Sequence, residues 1–228
     1  GDHRDLHSFP TRRSSDLMFG QRGDGPRCNS MDILVAGGAF RPPLLGAINL
    51  GKLNPADAEL EGIAALNMFE GRAITLNLGE GEIIVESPAS LAERVRSMRP
   101  FPIRLKREVE GTALAVMAEV PTPRGPVWKE LDSGNGGTVL VAKHNASLFG
   151  LQADAEGPQS GHFKVTYGVD IESQHMFTPD MIMDGNLGMP FLHDWIITLD
   201  LREGRGWIVE NPDAGPAPQA TLPTVAAP

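Results

Sequence analysis

The sequence predicts a mostly β protein built from two related halves. Glycine and proline are frequent, with 26 and 19 residues, whereas aromatic residues make up only 6% of the chain. Short apolar stretches alternate with turn-forming residues, a pattern that is typical of strands rather than of long helices. A segment of the first half also recurs in the second half, which predicts that one architecture is used twice.

The repeat relates residues 61–81 to residues 184–204 at a constant offset of 123 positions. Seven of the 21 aligned positions are identical, whereas unrelated segments of average composition would share roughly one or two. One inserted residue later, Val85-Glu86 matches Val209-Glu210. The identical pairs are Gly62/Gly185, Ile74/Ile197, Thr75/Thr198, Leu76/Leu199, Leu78/Leu201, Glu80/Glu203 and Gly81/Gly204.

Each copy of the repeat predicts a short helix, a strand, a glycine-containing turn and a second strand. In the first copy the expected elements are a helix over 64–69 and strands over 73–78 and 82–86. In the second copy they are a helix over 187–192 and strands over 195–201 and 206–210.

The remaining elements surround a Gly-rich loop in the second half. Ser90 and Glu93 have the capping-box spacing and predict a helix over 91–98. The other predictions are strands over 113–120, 127–131 and 138–142, a turn over 122–125, and a long hairpin made of 162–170 and 172–177.

This order of elements predicts a chain organised into two lobes and flanking segments. The expected parts are a first lobe over 18–86, a linker between lobes over 87–101, a second lobe over 102–210, and a disordered Pro/Ala-rich tail over 211–228.

The first 17 residues, GDHRDLHSFPTRRSSDL, resemble an in-frame translation of a sequencing adapter. This resemblance implies an artefact that packs against nothing and that precedes a truncated first lobe, whose signal peptide would be lost with it. A natural Arg/Ser-rich leader is the alternative.

Composition excludes several classes of function. The net charge of −9 makes nucleic acid and anionic membrane surfaces poor partners, because both are polyanions. No apolar run approaches the roughly 18 residues of a membrane-spanning helix. Cys28 is the single cysteine, so the chain has no internal disulfide. The histidines lack metal-ligand spacing, and no Ser-His-Asp set is apparent.

The segment with the clearest chemistry is Asp132-Ser133-Gly134, which lies between two apolar stretches. Taken alone, this triplet is an ordinary β-turn, and a structural turn is the alternative interpretation. A second segment, MDGNLGMPFLHDWIITLDL at 183–201, carries an apolar-Gly pair followed by a short helix and a strand.

Together these two motifs resemble the bacterial retropepsin-like and pepsin-like aspartic proteases. The resemblance covers residues 102–210 well and residues 32–86 more weakly. It implies a barrel-like acid-protease fold of two homologous lobes, with the first lobe incomplete. It also implies an endopeptidase that needs no cofactor and no metal, and whose partner is a peptide or protein substrate. A periplasmic or secreted location is slightly favoured for the parent protein.

The resemblance assigns a role to each residue of the motifs. Asp132 would be one of two catalytic carboxylates that activate a water molecule. Ser133 would bond the facing loop, and Gly134 would allow a tight turn near the substrate. Tyr167, the single tyrosine, is a candidate flap residue over the cleft, with a structural tyrosine as the alternative. The remaining residues expected to support the catalytic loop are Asn135, Leu187 and Gly188.

The chain departs from the family pattern at three positions. Asn135 stands where the family has a small residue, Asn186 is polar at a buried position, and Ala65 replaces the glycine of the first copy. No second Asp-Thr/Ser-Gly occurs in 18–131, so the partner of Asp132 is expected outside this chain. The alternatives are a non-catalytic relative that binds peptide or protein, and a homodimer in which two copies of Asp132 meet. An incomplete first lobe also predicts self-association.

Overall fold

A computed structural model describes residues 27–28, 31–35, 38–41, 45–46, 59, 62–108, 111 and 113–215. The fold is mostly β, with 44% strand and 16% helix. The predicted adapter segment, 1–17, lies outside the described residues, and so does most of the predicted tail. No helix in the described ranges is long and apolar enough to cross a membrane.

The elements, numbered in chain order, include two short α-helices and three 3₁₀ helices. The strands are β1 (Arg27–Cys28), β2 (Ile33–Val35), β3 (Gly38–Phe40), β4 (Leu45–Gly46), β5 (Ala73–Asn77), β6 (Glu82–Glu86), β7 (Arg99–Pro100), β8 (Ile103–Glu108), β9 (Ala113–Val120), β10 (Val127–Leu131), β11 (Val139–Val141), β12 (Gln159–Thr166), β13 (Val169–Phe177), β14 (Gly185–Leu187), β15 (Trp195–Asp200) and β16 (Arg205–Glu210). The α-helices are α1 (Pro88–Arg94) and α2 (Met189–Leu192), and the 3₁₀ helices are Leu66–Phe69, Val95–Ser97 and Lys143–Phe149.

The chain divides into two compact units. One unit comprises residues 1–68 and 107–114, and the other comprises residues 69–106 and 115–228. In the first unit, β1 pairs with β4 and β2 pairs with β3, both in antiparallel fashion. The lobe and linker boundaries expected from the sequence stay predictions.

Most residues of the two larger sheets belong to the second unit. A seven-stranded sheet has the order β12-β13-β11-β14-β10-β9-β8, and a five-stranded sheet has the order β6-β5-β15-β16-β7. In the described part of the chain neither sheet closes, because β12, β8, β6 and β7 each end a sheet without meeting another strand. The predicted mostly β class is therefore confirmed, while these sheets form no closed barrel and the acid-protease fold stays a prediction.

The five-stranded sheet joins the two copies of the repeat about a local twofold axis. Strand β5 pairs antiparallel with β15 so that Thr75 faces Thr198, its own repeat equivalent. On either side the equivalent residues exchange places, since Ile74 pairs with Leu199 and Leu76 pairs with Ile197. The two threonine Oγ1 atoms lie 2.8 Å apart in the buried centre. The predicted twofold relation between the copies is confirmed at these strands.

The two hairpins have the same register and the same turn length. Asn77 pairs with Glu82 in the first copy, and Asp200 pairs with Arg205 in the second. Each four-residue turn ends at a glycine with positive φ, 72° at Gly81 and 65° at Gly204, a conformation that side chains other than glycine rarely adopt. The helices Leu66–Phe69 and Met189–Leu192 also differ by the repeat offset.

Equal turn lengths overturn the one-residue insertion inferred in the second copy before Val209. In the first hairpin Ile74 faces Val85, and in the second Ile197 faces Ile208. The structural equivalent of Val85 is therefore Ile208, at the constant offset, and the identity of Val85 with Val209 is out of register.

Two predicted element boundaries are also wrong. Helix α1 begins at Pro88, and its N-cap is Ser87, whose hydroxyl accepts the Ser90 N–H while the Ser90 hydroxyl accepts the Ser87 N–H. Proline fits the first helical position because its φ is already helical, so the helix starts three residues before the predicted start at Leu91. The long hairpin turns at Tyr167-Gly168, earlier than predicted.

Candidate functional site

Strand β14 brings the two sequence motifs together, although they are 54 residues apart in the chain. It lies in the middle of the seven-stranded sheet, parallel to β10 and antiparallel to β11. Asp132 follows the last residue of β10, and its backbone N–H donates to the Leu187 carbonyl at 3.1 Å. The loop that contains Asp132-Ser133-Gly134 is thus held against the end of β14.

Gly188 allows this close approach of loop and strand. A Cβ atom at this position would lie 2.5 Å from the carbonyl oxygens of both Asn135 and Thr138. The next residue, Met189, donates its N–H to the Asn135 carbonyl at 2.8 Å. The glycine is therefore required by backbone packing beneath the loop.

The Asp132 carboxylate is half-buried and accepts a hydrogen bond on each oxygen. Its Oδ1 accepts the Gly134 backbone N–H at 2.8 Å, and its Oδ2 accepts the Asn186 side-chain amide at 2.6 Å. A carboxylate offers about four acceptor sites, so each oxygen can accept one further donor such as a water molecule.

Two asparagines connect this carboxylate to the start of β11. The Asn186 side chain is completely buried, and its Oδ1 accepts Nδ2 of Asn135 at 2.8 Å. The Asn135 amide also donates to the Thr138 carbonyl at 3.0 Å, and its Oδ1 accepts both the backbone N–H and the hydroxyl of Thr138. Asn135 and Asn186, two of the three departures from the family pattern, are therefore bonded to each other, and Asn186 is bonded to the Asp132 carboxylate.

Ser133 and Gly134 form the exposed tip of the loop. Within the described residues the Ser133 hydroxyl makes no hydrogen bond, so the bond to a facing loop stays a prediction. Nor does any second Asp or Glu side chain in the described ranges bond the Asp132 carboxylate.

The equivalent of β14 in the first copy has a different structure. Residues 62–65 form no strand and are exposed, and the Ile63 side chain is 73% accessible to solvent. Ala65 occupies the place of Gly188 and, like it, precedes a helix: Met68 donates to the Ala65 carbonyl as Phe191 donates to the Gly188 carbonyl. The described residues of the first copy therefore repeat the helix, but residues 62–65 form no strand equivalent to β14.

Tyr167 lies at the tip of the β12–β13 hairpin and is 87% exposed. The neighbouring Gly168 carbonyl accepts a hydrogen bond from the Arg99 guanidinium, which ties the hairpin tip to β7. A role for Tyr167 as a flap residue stays a prediction.

A buried lysine, Lys129, is an unusual feature of β10 that the sequence interpretation missed. Its side chain is fully buried, and Nζ donates to the carbonyl oxygens of Leu140 and Asp184 at 3.2 and 3.4 Å. Burial lowers the pKa of the Lys129 amine to about 7, while the negative charge of Asp184 acts in the opposite direction. Its position between the inward-facing Val127 and Leu131 is the sequence signal that could have indicated burial.

An open groove of about 370 Å³ lies on the same unit but away from the Asp132 loop. Arg104, Met117, Trp128 and Ile182 are among its lining residues, and the Arg104 guanidinium stacks 3.8 Å from the Trp128 ring. Trp128 is four residues before Asp132, or roughly 13 Å along an extended strand. Asp132 does not line this groove.

Comparison with known proteins identifies no family for this chain. No family model matches the chain, and no curated protein matches it significantly. Among the described side chains, no cluster of three or more His, Cys, Asp or Glu residues is arranged to hold a metal ion.

Proposed function

We propose that this chain supplies one carboxylate, Asp132, of the two that form an aspartic-endopeptidase site. The observation that carries the proposal is the placement of Asp132 at the end of β10, with the Leu187 carbonyl bonded to its N–H and a donor on each carboxylate oxygen. An aspartate in an ordinary β-turn requires neither a neighbouring strand such as β14 nor a buried amide such as that of Asn186 as a hydrogen-bond donor.

Two adjacent carboxylates hydrolyse a peptide bond without a metal or a covalent intermediate. They share one proton, because two neighbouring carboxylates do not both ionise easily. The ionised member takes a proton from water as the water oxygen bonds to the carbonyl carbon, while the protonated member donates to the carbonyl oxygen. In the resulting tetrahedral gem-diol, the first carboxylate returns its proton to the nitrogen as the C–N bond breaks and the amine leaves. The partner carboxylate, now ionised, takes back a hydroxyl proton as the C=O bond forms again.

The second carboxylate would come from a loop related to 132–138 by a twofold rotation. The twofold axis between Thr75 and Thr198 supports such a relation, because it joins equivalent strands of two repeat copies. Either a first-lobe loop or a second copy of this chain could supply it. The exposed Ser133 hydroxyl is available to bond such a facing loop.

The concentration dependence of cleavage tests this proposal. The full chain and its Asp132→Asn variant are incubated with a mixed peptide library from acidic to neutral pH, over a hundredfold range of protein concentration. We expect no cleavage by the monomer. Asp132-dependent cleavage that rises with the square of concentration would mean that two copies form the pair.

Asp132-dependent cleavage proportional to concentration would overturn the need for a second carboxylate. Cleavage that Asp132→Asn leaves unchanged would overturn the assignment of Asp132 itself. Saturable, Asp132-independent binding of library peptides without any cleavage would favour the non-catalytic peptide-binding relative.

A further inference from the structure

We propose that Asn135 and Asn186 are positioning residues that fix the orientation of the Asp132 carboxylate within the carboxylate pair. This inference rests on the proposed function.

The direction of every hydrogen bond in this network is fixed by one backbone group. The Thr138 N–H can only donate, so the Asn135 atom that faces it at 3.1 Å must be the side-chain oxygen. The Asn135 amide nitrogen then faces Asn186, and the Asn186 atom that accepts it at 2.8 Å must be Oδ1. The Asn186 amide nitrogen is thereby directed at Asp132 Oδ2.

Burial prevents Asn186 from reversing this direction. The side chain is 0% exposed, and a flipped amide would place its nitrogen against the Asn135 nitrogen and its oxygen against the Asp132 carboxylate. Both contacts would leave buried polar groups unpaired, which costs roughly 1–3 kcal/mol for each group. The Asn186 amide is therefore a fixed donor.

A fixed donor at Oδ2 also fixes the orientation of the Asp132 carboxylate. The Gly134 N–H donates to Oδ1 at 2.8 Å, so both Asp132 oxygens face N–H groups of the protein. These two donors hold the plane of the carboxylate and leave one acceptor site free on each oxygen. The free sites are those at which Asp132 can take the proton of the attacking water.

A purely structural role for the asparagines is the competing explanation. An aliphatic residue would fill the Asn186 site in a strand that is otherwise apolar at its buried positions, and the loop would still close through the Asp132 N–H to Leu187 bond. Asn145 provides a matched control, because it is also a buried asparagine whose amide donates to a carboxylate, Asp184, at 2.9 Å.

The first experiment uses the full chain and needs no activity. The side-chain amide resonances of Asn186 and Asn145 are followed by ¹H–¹⁵N NMR as the pH is lowered. We expect the Asn186 resonance to move with pH and to stop moving in Asp132→Asn, while the Asn145 resonance behaves identically in both proteins. An Asn186 resonance that ignores pH, or that moves equally in Asp132→Asn or in a second variant, Asp132→Ser, would overturn the proposal.

The second experiment measures catalysis by the full chain at protein concentrations at which two copies can pair. Asn186→Leu should lower kcat at least tenfold and change KM less than twofold, whereas Asn145→Leu should change neither. Asn135→Ala should show the same pattern as Asn186→Leu with a smaller loss. Equal kcat in Asn186→Leu and the parent would overturn the role, and a failure of every version to cleave would refute the proposed function while the NMR result still stands.

Discussion

The two copies of the repeat have the same hairpin but different surroundings. In the second copy the strand before the helix, β14, is buried between β10 and β11. In the first copy the equivalent residues, 62–65, are exposed and form no strand. The hairpins that follow keep one register in both copies. Turn chemistry and local pattern therefore determine the hairpin, whereas the strand before the helix forms in the second copy, where β10 and β11 flank it.

The largest expected difference between the copies concerns the residue before the helix. We expect Gly188→Ala to destabilise the protein by about 3 kcal/mol, because its Cβ would overlap two carbonyl oxygens. The equivalent change, Ala65→Gly, should alter stability by less than about 1 kcal/mol, because Ala65 is exposed. Urea denaturation of both variants checks this contrast, and equal losses would contradict the proposed packing beneath the Asp132 loop.

A second contrast lies at the outer strands of the five-stranded sheet. Ile208 is completely buried because β7 covers β16, whereas its equivalent Val85 is 38% exposed on the edge strand β6. Ile208→Ala should cost about 2–4 kcal/mol, and Val85→Ala less than about 1 kcal/mol. A Val85→Ala loss as large as the Ile208→Ala loss in thermal denaturation would mean that the β6 edge is covered.

Lys129 should make stability depend on pH above neutrality. The folded pKa of about 7 lies below the ordinary value of 10.5, so between these values the unfolded chain binds more protons than the folded chain. Stability should therefore rise with pH in this window, by about 2 kcal/mol from pH 7 to pH 9. Lys129→Met should be more stable at pH 7 and should lose this slope. Denaturation at pH 7 and pH 9 measures this change in the free energy of unfolding. If the change persists in Lys129→Met, another group causes it.

The smallest expected effect is at the twofold axis itself. Thr75 also donates to the buried Glu86 carboxylate at 2.7 Å, whereas Thr198 has only the Met98 sulfur as a further partner. Thr75→Val should therefore cost about 1–2 kcal/mol and Thr198→Val about 0.5–1 kcal/mol. Equal losses would indicate that the Glu86 bond contributes nothing.

Features that depend on residues close in the sequence could be predicted from pattern alone, whereas features that depend on contacts between distant residues could not. The hairpins and the strands 113–120 and 127–131 follow from local pattern and from the repeat. The meeting of the Asp132 loop with Leu187-Gly188 was implied by the resemblance to aspartic proteases. The direction of the Asn135–Asn186 bonds could not be predicted, because it depends on a backbone N–H that only the folded loop presents. The burial of Lys129 depends on how β10, β11 and β14 surround it.

Two short residue matches in the sequence also gave predictions that the structure contradicts. A capping box at Ser90 was plausible by spacing, but Pro88 allows the helix to start earlier, with Ser90 at its third position. The match of Val85-Glu86 to Val209-Glu210 was attractive by identity, but turns of equal length fix a different register. In both cases a backbone constraint outweighs a short residue match.

The most direct test of the central claim compares cleavage by the full chain and by the same chain carrying Asp132→Asn, at protein concentrations at which two copies can pair. Both are assayed against the mixed peptide library, with the matched Asn145→Leu variant as a control for folding. A functional carboxylate pair predicts cleavage by the full chain and by Asn145→Leu, and at least a thousandfold loss of rate in Asp132→Asn. Undiminished cleavage by Asp132→Asn would contradict the assignment of Asp132 as one carboxylate of an endopeptidase site.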